Sequence, residues 1–229
     1  NLNNHVIICG AGRVGSEVVQ RLSEEKVPFV VIDQHQEAIE ELCEKGFLCI
    51  HGDATEDEVL IEAGIHRARG IISALSGDAN NVFVTLTSKG LNPSINVVAR
   101  AERIESEDKL LRAGASKVIA PSVIGGRQMA SSILRPVSVD FIETVIYAKG
   151  LEMEFEEILV QKSCSLCNTT MQDSQIKQKS GAMIVAIQRA DKFIVNPDIT
   201  ESILPEDLLL VLGTRAQLVL LEEMTGGKN

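Results

Sequence analysis

The sequence predicts a doubly wound α/β domain, a parallel sheet with crossover helices on both faces, followed by a second, smaller α+β domain. Three observations carry this. Over the first 120 of 229 residues, short continuous apolar runs alternate with amphipathic stretches of helical period, as expected for strands buried on both faces. A glycine-rich turn, Gly10-Ala11-Gly12-Arg13-Val14-Gly15, follows the first apolar run and opens a helix. After Gly150 the pattern changes: Glu152-Met153-Glu154-Phe155-Glu156-Glu157-Ile158 mixes charged and apolar residues like a half-exposed strand.

In order, Val6-Ile7-Ile8-Cys9 reads as the first buried strand. Val14, Val18, Val19 and Leu22 then recur at helical spacing over 13–25. Phe29-Val30-Val31-Ile32 forms a second strand ending at Asp33, and Ala38, Ile39 and Leu42 stripe the next helix. Phe47-Leu48-Cys49-Ile50, Gly70-Ile71-Ile72, Asn96-Val97-Val98-Ala99 and Val118-Ile119-Ala120 supply four more strands, with a helix around 79–89. Residues 122–147 hold two apolar helical segments meeting at Arg135-Pro136, where the proline ring and its missing N–H break or kink the helix. Beyond them, Met183–Ile187, Phe193–Val195 and Leu208–Leu212 read as three further strands, and 215–224 as a closing helix. The expected divisions are residues 1–121 for the doubly wound domain, 122–149 for a helical segment and 150–229 for the α+β domain.

Charge narrows the partners. The net charge of −10 is shared evenly: residues 1–150 carry 20 acids and 15 bases, residues 151–229 carry 12 and 7. Neither part offers the basic face that nucleic-acid phosphates require. No apolar run approaches the ~20 residues that span a bilayer, and no basic–apolar–small leader precedes the first strand, so neither membrane insertion nor secretion is expected of this stretch. Five cysteines, odd in number and mostly in apolar runs, suit reduced cytoplasmic thiols better than a disulfide framework. The chain opens on Asn1 rather than Met, which suggests processing or a longer parent.

The glycine turn meets the context of a Rossmann-like dinucleotide site, because it links a buried strand to a helix and an acid ends the next strand. Gly10 allows the tight turn, Gly12 lets backbone approach a pyrophosphate and Gly15 permits close helix–strand packing. The helix start, with Arg13 and Val14, offers free N–H groups to phosphate. Asp33, 18 residues after Gly15, is placed to accept hydrogen bonds from a ribose diol and to repel a 2′-phosphate, favouring NAD(H) or an adenine nucleotide over NADP. Asp53, Ala54 and Thr55 follow the third strand and should line the same crevice. Arg100 ends the fifth strand at that rim. It either neutralises a phosphate or pairs with Asp53 or Asp78. Glu102 is a candidate ligand for a divalent cation such as calcium or magnesium, or a solvated acid. Cys164-Ser165-Leu166-Cys167 spells CxxC without the second pair a zinc site requires, which favours two loop thiols over a metal. A proton donor or acceptor suited to a dehydrogenase, or a nucleophile with its base, is not evident, so a non-enzymatic regulator is expected.

These residues carry a family resemblance. Asn4 to Gly15, Val31-Ile32-Asp33, Gly52-Asp53-Ala54-Thr55, Val98-Ala99-Arg100-Ala101, Ala113-Gly114-Ala115 and Val118-Ile119-Ala120-Pro121 together resemble the RCK (KTN, or TrkA-N) domain of potassium channels and transporters. Residues 151–224 look like its companion, RCK-C or TrkA-C. The resemblance implies a cytoplasmic gating module that pairs through helices matching residues 122–147, assembles into an octameric ring under a membrane-embedded potassium pore, and binds nucleotide through Gly10, Gly12, Gly15, Asp33, Asp53 and Arg100. A calcium-activated subgroup carries three carboxylates at positions that here read Ala74, Arg100 and Glu102, so two of the three are lost. Asn4-His5 before the first strand resembles versions fused behind a pore helix. A detachable Trk/Ktr-type subunit is the alternative, and an NAD-dependent oxidoreductase a more remote one.

Overall fold

A computed structural model describes residues 2–147, 153–162 and 164–227, without the side chains of residues 143 and 145–147. Glu152 and the expected junction at 149/150 lie outside the described residues, as do the side chains of Val145 and Ile146. The chain forms two compact units that divide between Ala130 and Ser131.

The first unit is a six-stranded, wholly parallel sheet. Its strands are β1 (Val6–Cys9), β2 (Phe29–Asp33), β3 (Cys49–His51), β4 (Gly70–Ser73), β5 (Asn96–Arg100) and β6 (Lys117–Ile119), in the order β3-β2-β1-β4-β5-β6. Helices α1 (Arg13–Glu24), α2 (Gln36–Glu44), α3 (Asp57–Glu62), α4 (Asp78–Leu91) and α5 (Glu107–Arg112) provide the crossovers. Strand alternation divides the core between two faces. Ile7, Cys9 and Ile32 point to the side of Leu60, Val84 and Leu110 from α3, α4 and α5. Val6, Ile8 and Val31 point to Val19 of α1 and Leu42 of α2. The sheet is therefore buried on both sides, which is why its strands read as continuous apolar runs.

Two details differ from the sequence pattern. The run Phe47–Ile50 places the third strand two residues early: β3 pairs with β2 only from Cys49, and Leu48 is exposed. The six-residue helices α3 and α5 escape a periodicity search because each spans less than two turns.

Helix α6 (Pro121–Leu134) and helix α7 (Pro136–Tyr147) meet at Arg135 as the proline requires. Helix α6 buries none of its residues, and Met129, Ile133, Leu134, Val137 and Phe141 are all exposed. No helix among the described residues is long and apolar enough to cross a membrane.

In the second unit, β7 (Met153–Leu159) is followed by β8 (Thr169–Thr170), the short helices α8 (Met171–Ser174) and α9 (Ile176–Lys179), β9 (Met183–Arg189), β10 (Lys192–Val195), β11 (Ser202–Ile203), β12 (Leu208–Thr214) and α10 (Arg215–Thr225). An antiparallel sheet in the order β10-β9-β12-β7 contains the four expected strands, and β8 pairs separately with β11. Helix α10 starts on a capping box in which Thr214 and Gln217 exchange side-chain and backbone bonds. Its Leu218 and Leu221 pack into a core with Ile158, Ile187, Leu209 and Val211. Arg189 grips the buried Asp207 with two parallel bonds of 2.9 Å and reaches Glu201 and the Ser202 carbonyl, tying β9 to the loops around β11.

Candidate functional site

Neighbours in the sheet reverse direction of growth between β1 and β4, and the carboxyl ends of the strands there open onto a cleft of about 260 Å³. Ligands in open α/β sheets bind at this switch point. Seven of the sequence candidates line it: Gly10, Gly12, Arg13, Asp33, Asp53, Ala54 and Arg100.

The glycine turn builds the floor. Gly10 holds φ +97° and lies so close to the loop after β4 that an added Cβ would stand 3.1 Å from the Ala74 carbonyl, so any side chain there would be strained and crowded. At Gly15 an added Cβ would fall 1.8 Å from the Gly10 carbonyl, which fixes this residue as the packing contact between α1 and the turn. Gly15 and Val14 are therefore not among the cleft-lining residues. Gly12 differs: an added Cβ would meet nothing within 4 Å. Protein packing does not demand glycine at this position, whereas close approach of a phosphate does.

Asp33 forms the wall toward β2. It is buried, its Oδ2 accepts the Ala11 N–H at 2.5 Å, and its Oδ1 accepts the His35 N–H at 2.8 Å and lies 2.8 Å from the His35 ring Nδ1. Burial by itself raises this carboxyl, but these hydrogen bonds and the charge of His35 outweigh it and hold the group below the usual carboxylate range. Asp33 is thus ionised, can accept a further hydrogen bond from a hydroxyl, and braces the glycine turn at the same time. Asp53 organises its own loop, with Thr55 giving its N–H and hydroxyl to Asp53 Oδ1 at 2.9 and 2.8 Å. Thr55 acts as a brace and is not a lining residue.

Arg100 lies opposite. It pairs with Glu102 rather than with Asp53 or Asp78, because the chain turns past the end of β5 and brings Glu102 back. Asp78 is engaged elsewhere, accepting from the Glu102 N–H at 2.6 Å, the Arg103 N–H at 3.3 Å and the Ser106 hydroxyl at 2.6 Å. Burial raises the Asp78 carboxyl, and these bonds together with the charge of Arg103 reverse that and lower it. The Arg100 side chain is 16% exposed, and its buried Nε has no hydrogen-bond partner among the described residues. An unmet buried donor costs on the order of 1–3 kcal/mol, and here it belongs to a cation lining a cleft opposite a glycine turn. The donors and the shape fit a phosphate-bearing ligand, and Asp33 fits its ribose. They do not fit a divalent cation at Glu102: its carboxylate is held by Arg100, and among the described residues no three His, Cys, Asp or Glu side chains come together as a metal site.

Two stretches of the lining are absent from the sequence candidates. Leu75 and Ser76 line the cleft from the loop between β4 and α4, with Asn80 in the first turn of α4, and Gln34 and His35 line it from the loop after β2. Asn81, fully buried just behind, fixes the first stretch: its side chain bonds the Ser73 hydroxyl, both backbone groups of Leu75 and the Arg100 carbonyl. The signal available was positional, since every loop after a strand on this rim is a candidate.

Fold and site together define a Rossmann-type domain with an open cleft at its switch point, followed by a small α+β domain. The TrkA-N domain matches residues 6–121 and the TrkA-C domain residues 155–226, and the chain belongs to this family of potassium-transport regulatory domains, the RCK domains. It is 40% identical over 228 residues to Potassium channel protein 1 of Methanocaldococcus jannaschii, covering 99% of this chain and 68% of that one. Ktr system potassium uptake protein C of Bacillus subtilis is 27% identical, with 90% of each chain covered. Among solved structures, the GsuK channel bound to NAD aligns over 99% of this chain and 39% of its own at TM-score 0.54 and 26% identity. GsuK bound to ADP aligns over 57% and 34% at TM-score 0.51 and 34% identity. The chain thus spans well under half of the solved channel chain.

Proposed function

We propose that this chain is the gating domain of a potassium channel, in which NAD(H) or an adenine nucleotide, ADP or ATP, occupies the cleft and controls pore opening. The observation that carries the reading is Arg100, a cation with an unpartnered buried Nε that shares its cleft with a glycine turn open at Gly12. In this reading the turn and the first N–H groups of α1 hold the phosphates, Arg100 neutralises them, and Asp33 takes the ribose diol. Asp53 and Ala54 border the ligand, and Gly15, Val14 and Thr55 maintain the shape. The nucleotide-bound forms of GsuK support a ligand of this class.

The exposed apolar residues of α6 and α7 suit pairing of two copies, and the family resemblance extends such pairs to an octameric ring beneath a membrane pore, on its cytoplasmic side. Residues 1–121 then serve as the sensing domain, 122–149 as the dimerisation segment and 150–229 as the companion domain. The protein acts by binding, not catalysis, so its ligand must bind the two ring states unequally to move the pore. A separate transporter subunit is the second reading, favoured by the near-complete mutual coverage with the Bacillus subtilis uptake protein. Calorimetric titration of the chain with NAD, NADH, ADP, ATP and calcium tests the ligand class. Saturable binding of a nucleotide but not of calcium is expected, and binding of calcium alone would overturn the reading.

A further inference from the structure

We propose that Cys164 and Cys167 form a reversible dithiol–disulfide couple, a covalent modification site that takes a small-molecule disulfide of the glutathione class as its oxidant. The two Sγ atoms stand 3.0 Å apart, about 1 Å more than the ~2.05 Å of a formed bond. The backbone already has the required span: the Cys167 N–H donates to the Cys164 carbonyl at 3.3 Å, a turn that keeps the two Cα atoms within about 7 Å, close to the upper end of the disulfide range.

The turn is anchored on each side of the pair. Leu166 is buried in the core of the second unit, the Ser165 hydroxyl donates to the Met224 carbonyl at 3.1 Å, and a Cβ at Gly226 would stand 3.3 Å from Cys164 Cβ. Both cysteines are only partly buried, which leaves the pair within reach of a small oxidant. Cys167 Sγ lies 2.9 Å from the Gln161 carbonyl, and Cys164 can donate its own S–H to Cys167. Burial, followed by that bond to Cys167, raises the Cys164 thiol. A metal is the poorer occupant, because no third ligating side chain joins the pair among the described residues.

The exchange balances. One cysteine of the pair, as its thiolate, attacks one sulfur of the oxidant, breaking its S–S bond and expelling one thiolate, and a mixed disulfide forms. The other cysteine then loses its proton to water and attacks the Sγ of the first, releasing the second thiolate. Two electrons pass from the cysteine pair to the oxidant, and the two small thiolates take up protons.

Incubation of the 229-residue chain in reduced and oxidised glutathione at graded ratios, followed by alkylation and peptide mapping, tests this. The peptide carrying both cysteines should lose two hydrogen masses as the oxidised fraction rises, and recover them in excess reduced thiol. Cys164→Ser should instead trap one glutathione on Cys167. Full alkylation of both sulfurs at every ratio would overturn the proposal. So would stoichiometric zinc retained on the pair, or stable glutathione adducts on both sulfurs of the unsubstituted chain.

Discussion

The side-chain amide of Asn81 donates to the backbone carbonyl of Arg100 across 2.9 Å, joining the loop after β4 to the end of β5. The same side chain meets Ser73 and both backbone groups of Leu75, so one buried residue sets the distance between two walls of the cleft.

Asn81→Ala removes these bonds together and leaves several buried polar groups unmet. The expected cost is about 2–4 kcal/mol of stability, with loss of nucleotide affinity in the fraction that stays folded. Denaturant unfolding measures the first and calorimetry the second. A variant as stable as the parent would show that Asn81 does not hold the walls.

Gly12 and Gly15 separate ligand binding from folding. Gly15→Ala drives a Cβ to 1.8 Å from the Gly10 carbonyl and should unfold or badly destabilise the first unit. Gly12→Ala meets open space, so its melting temperature should change little while nucleotide affinity falls at least tenfold. If Gly12→Ala bound nucleotide normally, the turn would be only a structural link between strand and helix.

Asp33 carries two expectations. Asp33→Ala should weaken NAD or adenine-nucleotide binding by ~1–3 kcal/mol and narrow the gap to NADP, since repulsion of the 2′-phosphate disappears. Because its folded carboxyl lies below the ordinary value, its contribution to stability is complete above the unfolded carboxylate range near ~3.9 and is lost as pH falls through the folded value. The difference in melting temperature between the parent and Asp33→Asn should therefore hold near neutrality and shrink below about pH 4. A pH-independent difference would contradict the ionised brace.

Helices α6 and α7 expose Ile133 at 85% and Phe141 at 63%. Light scattering should report at least a dimer, and Ile133→Asp combined with Phe141→Asp should reduce it to monomer while leaving nucleotide affinity intact. A parent chain that is monomeric at high concentration would remove these helices as an interface.

Much of this was legible in the sequence. Strands buried on both faces leave unmistakable apolar runs, and the spacing from the glycine turn to Asp33 placed two walls of the cleft before any coordinates. The wall from Leu75 to Asn80 was not legible, because its residues follow no period and are set in place through Asn81, which bonds Leu75 and the Arg100 carbonyl at the end of β5. The partner of Arg100 was missed for a related reason: Glu102 is two residues away, and only the turn past the strand end brings it back. In the second unit, the two-residue strands β8 and β11 and the Arg189–Asp207 grip depend on pairings across more than a dozen residues, which local pattern does not encode.

In the proposed reading Arg100 binds a nucleotide phosphate across the cleft, and titration calorimetry of Arg100→Ala with NAD and ADP measures that contact. Losing a charged hydrogen-bond partner should cost 1.5–3 kcal/mol, roughly 10- to 150-fold in affinity. Arg100→Lys should recover only part of it, because a lysine restores charge without the planar fork. If the chain gates a potassium channel as proposed, patch recordings of that channel should show nucleotide regulation fading in step with affinity. Unchanged affinity in Arg100→Ala would contradict the account and leave Arg100 as no more than the partner of Glu102.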